Sequence, residues 1–141
     1  MASAVKFEAF TEHLAEKVHN LDSDTINILL SNDAPSASGD AVKADLPSEI
    51  SNGNGYTTGG ADTQNTTSRS GGTTTVTATD VVWTASGGTI GPFRYVIAYN
   101  DTPSSPADPL IEYWDYGSSI TLQIGETFTA DFGASGLMTI A

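Results

Sequence analysis

Apolar residues recur at steps of three and four near the start of the chain and at steps of two through much of its second half. Phe7, Phe10, Leu14, Val18 and Leu21 would line one face of a helix, which predicts an amphipathic helix over residues 5–21. Ala9 and Ala15 add helix propensity, Glu8 and Glu12 complement the dipole at its start, and His19-Asn20 resembles an exit. The stripe either packs on the chain's own sheet or docks on a neighbouring subunit. Under the second reading Phe7, Phe10 and Leu14 are candidate partner-interface residues.

Asp22 to Asp24 then form a turn, and the run Thr25-Ile26-Asn27-Ile28-Leu29-Leu30 predicts a first strand. Asn32-Asp33-Ala34-Pro35 ends it, because proline lacks a donor and Asn and Asp stabilise turns. Residues 31–72 are dense in Ser, Gly, Asn and Thr, with Asn-Gly pairs at 52–53 and 54–55 that mark positive φ. A loop of this length usually has a function. The expectation is an extended arm ordered by a partner, with one helical turn near residues 44–50. Asn54 and Tyr56 are its candidate contact residues, although Tyr56 could instead anchor the arm to the body.

Residues 73–141 read as strand after strand. Val76 and Ala78 alternate with Thr75, Thr77 and Thr79, and the alternation breaks at Val81-Val82-Trp83, where a bulge or two-sided burial is expected. Further strands are predicted at 93–99, 110–116, 119–124, 127–132 and 136–140. Pro92 stands at the entrance of the first of these, and Gly117-Ser118 and Gly125-Glu126 read as hairpin turns. The fold expected is mainly β: a jelly roll or β-sandwich of about six to eight strands, in one domain over 1–141. The body occupies 73–141.

Composition narrows the function. Hydrophobic residues are 38% of the 141 positions, enough for one core that buries roughly two-thirds of the unfolded surface. Five Lys and Arg face seventeen Asp and Glu, a net charge of −12. Lys6, Lys17, Lys43, Arg69 and Arg94 are scattered, whereas nucleic acid and anionic membranes need a clustered cationic face. Neither is expected as a partner. The acidity suits a protein kept soluble at many copies. With no cysteine, disulfides, zinc-thiolate sites and thiol catalysis are excluded. Glu8, Glu12, His13 and Glu16 interrupt any signal-peptide core, and no run approaches the roughly 20 apolar residues of a membrane helix. The expectation is synthesis in the cytoplasm.

Candidate chemistry is sparse. His13 and His19 lie six apart, on different helical faces, a poor metal pair that reads as solvated helix positions. No G-x-S-x-G elbow or phosphate-cradling loop is present. Glu112 and Asp115 sit among Tyr113, Trp114 and Tyr116, as in a glycosidase, but residues three apart on a strand face opposite ways. Trp114 and Tyr116 share one strand face; exposed they would stack sugars, buried they would be core. Asp22, Asp24, Asp33, Asp40 and Asp45 crowd one stretch without calcium-loop spacing, which suits turns and caps. No catalytic residue, cofactor or metal is expected.

Several segments carry a resemblance. They are F-x-E-H-L-x-E-K-V-H-N-L-x-S-D-T-I-N-I-L-L from Phe10 to Leu30 with Ser31-Asn32-Asp33-Ala34-Pro35, Ala44-Asp45-Leu46 with Glu49-Ile50, and Gly53-Asn54-Gly55-Tyr56-Thr57-Thr58-Gly59-Gly60. Val82-Trp83-Thr84-Ala85, Gly91-Pro92-Phe93-Arg94-Tyr95 and Trp114-Asp115-Tyr116-Gly117-Ser118-Ser119 complete them. Together they resemble a family of small proteins of tailed bacteriophages and prophages, encoded with virion structural genes. In that setting the chain is similar to capsid decoration (cement) proteins. The resemblance implies a non-enzymatic homo-oligomer on the outer capsid surface of the virion, bridging subunits of the major capsid protein. Tail, neck or fibre subunits and a carbohydrate-binding attachment module are the alternatives.

Overall fold

Strands form where β-branched and aromatic residues concentrate, and the richest such stretches make the centre of the molecule. The computed structural model describes residues 3–141. In order the elements are β1 (Ala4–Lys6), α1 (Glu8–Ala15), β2 (Ile26–Ser31), a 3-10 turn at Lys43–Asp45, β3 (Ala61–Asp62), β4 (Thr66–Ser70), β5 (Thr73–Thr77), β6 (Val81–Thr84), β7 (Ile90–Asn100), β8 (Leu110–Leu122), β9 (Thr127–Ala130) and β10 (Met138–Ile140). The fold is mainly β, as expected, with one α-helix and ten strands among the described residues rather than six to eight strands.

A five-stranded antiparallel sheet, ordered β1-β8-β7-β2-β3, forms the main layer. Beside it stand a three-stranded sheet, β10-β5-β4, and the pair β6-β9, both antiparallel. Among the described residues no sheet closes into a barrel. One face of the main sheet, with Ile28, Leu30, Val96, Ala98 and Trp114, shares a core with Val76 of β5, Trp83 of β6, Ala130 of β9 and Phe10 of α1. The opposite face gathers Leu29, Tyr95, Ile97, Tyr99 and Leu110 under Phe7 and Leu46. Burial on both faces explains why Ile28-Leu29-Leu30 and the end of β7 run apolar without alternation.

The structure corrects several expectations. Residues 4–6 are a strand paired with β8, and only Glu8–Ala15 is helical. Lys17, at φ 64°, takes the chain out of the helix, and Leu21 reaches the core from a later turn. Phe7 and Phe10 therefore face different clusters rather than one stripe. Both are buried in the protein's own core, Phe7 at 0% and Phe10 at 3% exposure, so they do not form the exposed apolar stripe expected of a docking helix.

Residues 31–72 are not a projecting arm. Ile50 N–H donates to Leu30 O, Thr63 N–H to Ile26 O, and Leu110 N–H to Ala41 O, which folds the segment across the main sheet. Tyr56 is its anchor: its hydroxyl accepts from Leu30 N–H at 3.1 Å and donates to Glu49 Oε2 at 2.6 Å, beneath a buried ring. Gly60 shows how close the segment comes, because a Cβ there would overlap the Ile28 carbonyl oxygen. Asn54 is exposed in the turn closed by Gly53 and Tyr56, where its Nδ2 donates to Thr89 O at 3.0 Å.

Farther on, β8 continues straight through Gly117-Ser118, so this pair is no hairpin turn. Between the pairs Phe93–Ile120 and Tyr95–Asp115 four residues of β8, 116–119, stand against the single Arg94 of β7, and Gly117 at φ 84° lies in that irregularity. Gly125-Glu126 does turn the chain, but the following strand joins β6 rather than folding back on β8. At 81–84 the burial alternates cleanly, with Val81 and Trp83 in and Val82 and Thr84 out, because the chain has changed sheets instead of bulging.

Candidate functional site

Helix α1 and the edge strand β10 leave a groove between them, and two cavities open from it. Leu14 of α1 and Ile140 of β10 are walls of both. The first cavity, about 400 Å³, is walled by Phe10, Leu14, Met138 and Ile140 and reaches Glu112 of β8. Pairing of β1 with β8 sets Lys6 opposite Glu112, at the same cavity. The second, about 490 Å³, lies beyond the helix end beside His19, Asp22, Asp24 and Thr67.

Glu112 is the unusual residue. It shares the parity of Trp114 on β8, so its side chain points to the main core, and it is only 4% exposed. Its Oε1 is enclosed with no hydrogen-bond partner among the described residues. Burial pushes the carboxyl up to about 8, so at neutral pH it is mostly protonated. Lys6 is exposed and makes no ion pair with it among the described residues.

The other end of the groove is built oppositely. Asn100, wholly buried, gives one Nδ2 proton to Asp24 Oδ2 at 2.7 Å and the other to His19 Nδ1 at 3.0 Å. Nδ1 thus accepts, and the ring proton of neutral His19 sits on Nε2. Burial first, then the nearby His13, lowers His19 to about 4, against a smaller opposing pull from Asp24. Asn65 completes the cluster, accepting from Ile26 N–H and donating to the carbonyls of Leu21 and Asp24. His19 is therefore not a solvated helix position: it lies past the helix and is 6% exposed.

The remaining candidates are dispersed. Asp115 is held by Arg94, with Nε to Oδ1 at 2.7 Å and Nη2 to Oδ2 at 3.1 Å, and it does not line the Glu112 cavity. The two carboxylates share no cleft, as strand parity predicts. Trp114 is buried beside Phe132, and Tyr116 is half-buried edge-on to Phe128, so these rings form no exposed stacking platform. Asp22 holds Thr67, Asp24 holds Asn20 N–H and Asn100, Asp33 holds Ser48, Asp40 holds Ser36 N–H, and Asp45 holds the N–H groups of Ala41 and Val42. The described residues bring no three His, Asp or Glu side chains together as metal ligands. Among them no helix is long and apolar enough to cross a membrane.

Of the five interface candidates, Leu14 and Phe10 line the groove, Leu14 half-buried and Phe10 almost wholly buried. Glu112 was visible as one of a carboxylate pair, and its shared parity with Trp114 was the available sign that it turns inward. The partnership of His19, Asn65 and Asn100 had no such sign, since it spans 81 positions of sequence. Compared with models of known protein families, with curated proteins and with solved structures, the chain matches none.

Proposed function

We propose that this protein is a non-enzymatic structural subunit of a tailed-phage virion, specifically a decoration protein that binds the outer capsid and bridges neighbouring subunits of the major capsid protein. The segments from Phe10 to Ser119 that resemble phage structural proteins support the virion setting. The mainly β fold is in keeping with it, and we read the main sheet, with the two small sheets sharing its core, as the β-sandwich or jelly roll such a protein would have.

The observation that carries a binding role is the groove between α1 and β10. Leu14 is half-buried and Ile140 is 38% exposed, beside the unpaired edges of β1 and β10. Apolar side chains next to open strand edges are what an extended or apolar partner segment engages. The net charge of −12 favours a partner with a basic surface. A homo-oligomer gripping several shell subunits needs only modest affinity at each contact.

Quantitative mass spectrometry of purified particles tests the placement. A copy number comparable to the major capsid protein supports a shell-wide decoration role. A handful of copies moves the protein to the tail, neck or fibres, and absence from particles overturns the virion reading.

A further inference from the structure

We propose that the cavity floored by Glu112 receives a lysine side chain of a protein partner, its aliphatic stem lying against Phe10, Leu14, Met138 and Ile140 and its ammonium meeting the Glu112 carboxyl. This rests on reading the α1–β10 groove as a partner surface, and it names the chemistry that surface selects.

Three observations on the groove converge. The walls Phe10, Leu14, Met138 and Ile140 are apolar around a cavity of about 400 Å³, which suits a lysine stem, a chain that buries its methylenes readily while its head seeks charge. Glu112 lines the cavity and its carboxyl has an enclosed oxygen, Oε1, with no hydrogen-bond partner among the described residues. At the other end of the groove Asn65 and Asn100 are paired within the chain, although His19 Nε2 is not. The chain is strongly acidic, and among the described residues its own cation at this cavity, Lys6 on β1 opposite Glu112, is exposed and makes no ion pair with it. Thr11 and Thr139 are the other polar side chains at the cavity, and neither carries charge.

Lysine fits better than arginine. A guanidinium is matched by two carboxylate oxygens in one plane, as Arg94 and Asp115 show elsewhere on this protein. Glu112 encloses one oxygen, which suits the compact, rotatable ammonium. When the ammonium enters, the carboxyl releases its proton to solvent and an ion pair replaces a neutral acid.

The probe is n-butylammonium, which reproduces the lysine side chain, added to the full chain. Carbon-13 resonances of the Glu112 carboxyl and the methyls of Leu14, Met138 and Ile140 report occupancy. The expected result is saturable movement of both sets and a fall of about one pH unit or more in the Glu112 titration, which corresponds to about tenfold coupling. Glu112→Gln should weaken binding about tenfold or more. If that variant fails to fold, the Glu112 titration of the unaltered protein decides alone.

Pentanoate and n-butylguanidinium are the comparison probes. The proposal is overturned if n-butylammonium moves nothing, if either comparison probe binds as tightly, or if Glu112→Gln binds equally well. It is also overturned if Glu112 in the free protein already titrates in the ordinary carboxylate range, because Lys6 would then occupy the place. The particle copy number and this binding test fail independently.

Discussion

The two ends of the α1–β10 groove bury polar side chains in opposite ways. At one end Asn65 and Asn100 tie together Leu21, Asp24, Ile26 and His19, residues from the turn after α1 and the start of β2. There both asparagine side chains are partnered and hold the chain in place, and only His19 Nε2 is enclosed without a partner among the described residues. At the other end Glu112 is just as enclosed and has nothing to bond. A satisfied network stabilises and specifies a fold, whereas a lone buried carboxyl costs stability. That cost is the feature of Glu112 on which the proposed contact with a partner lysine rests.

Breaking the satisfied end should have the largest effect. Asn65→Ala removes three hydrogen bonds and strands buried backbone groups, and should destabilise by about 3–4 kcal/mol in urea unfolding. The unsatisfied end should respond in the opposite direction. Unfolded Glu112 ionises near 4.5 and folded Glu112 near 8, so the fold pays a growing penalty as pH rises between those values. Glu112→Gln should therefore stabilise by about 3 kcal/mol at pH 7, with the gain vanishing near pH 4.5. A destabilised Glu112→Gln at neutral pH would show that the carboxyl has a partner after all.

His19 sharpens the comparison through pH. Its folded value near 4 lies below the usual 6.5, so the stability it contributes is present above pH 6.5 and is lost as pH falls toward 4. Between about pH 4.5 and 6.5 this loss and the Glu112 gain on acidification cancel, and stability should be flat. From about pH 6.5 to 8 it should fall by about 1.4 kcal/mol per unit in the unaltered protein and stay level in Glu112→Gln. Thermal unfolding across that range checks both curves. The smallest effect belongs to the shared wall: Leu14→Ala, at a half-buried position, should cost about 1 kcal/mol while enlarging both cavities.

How much of this was legible varies by element. The apolar run at 25–30 and the aromatic, β-branched run at 93–99 were readable as strands because burial on a sheet demands those residues. Gly117-Ser118 was misread because glycine serves a strand irregularity as well as a turn, and the two differ only in what lies across the ladder. The helix was overextended because steps of three and four continue past Lys17 while the chain does not. For the site, the parity shared by Glu112 and Trp114 implies an inward carboxyl only once the Trp114 face is known to be the buried one. That Leu14 and Ile140, far apart in sequence, would wall a cavity above it was not implied.

The sequence by itself determined that the chain is mainly β, acidic and free of cysteine chemistry, and which runs are apolar enough to be central strands. Side-chain period and composition act locally, so they are written residue by residue. Only the tertiary structure decided which strands pair, that residues 31–72 fold back on the main sheet, and that one buried glutamate is left without a partner. Those outcomes depend on what lies across a gap from each residue, and such contacts arise from the packing of distant segments rather than from any local pattern.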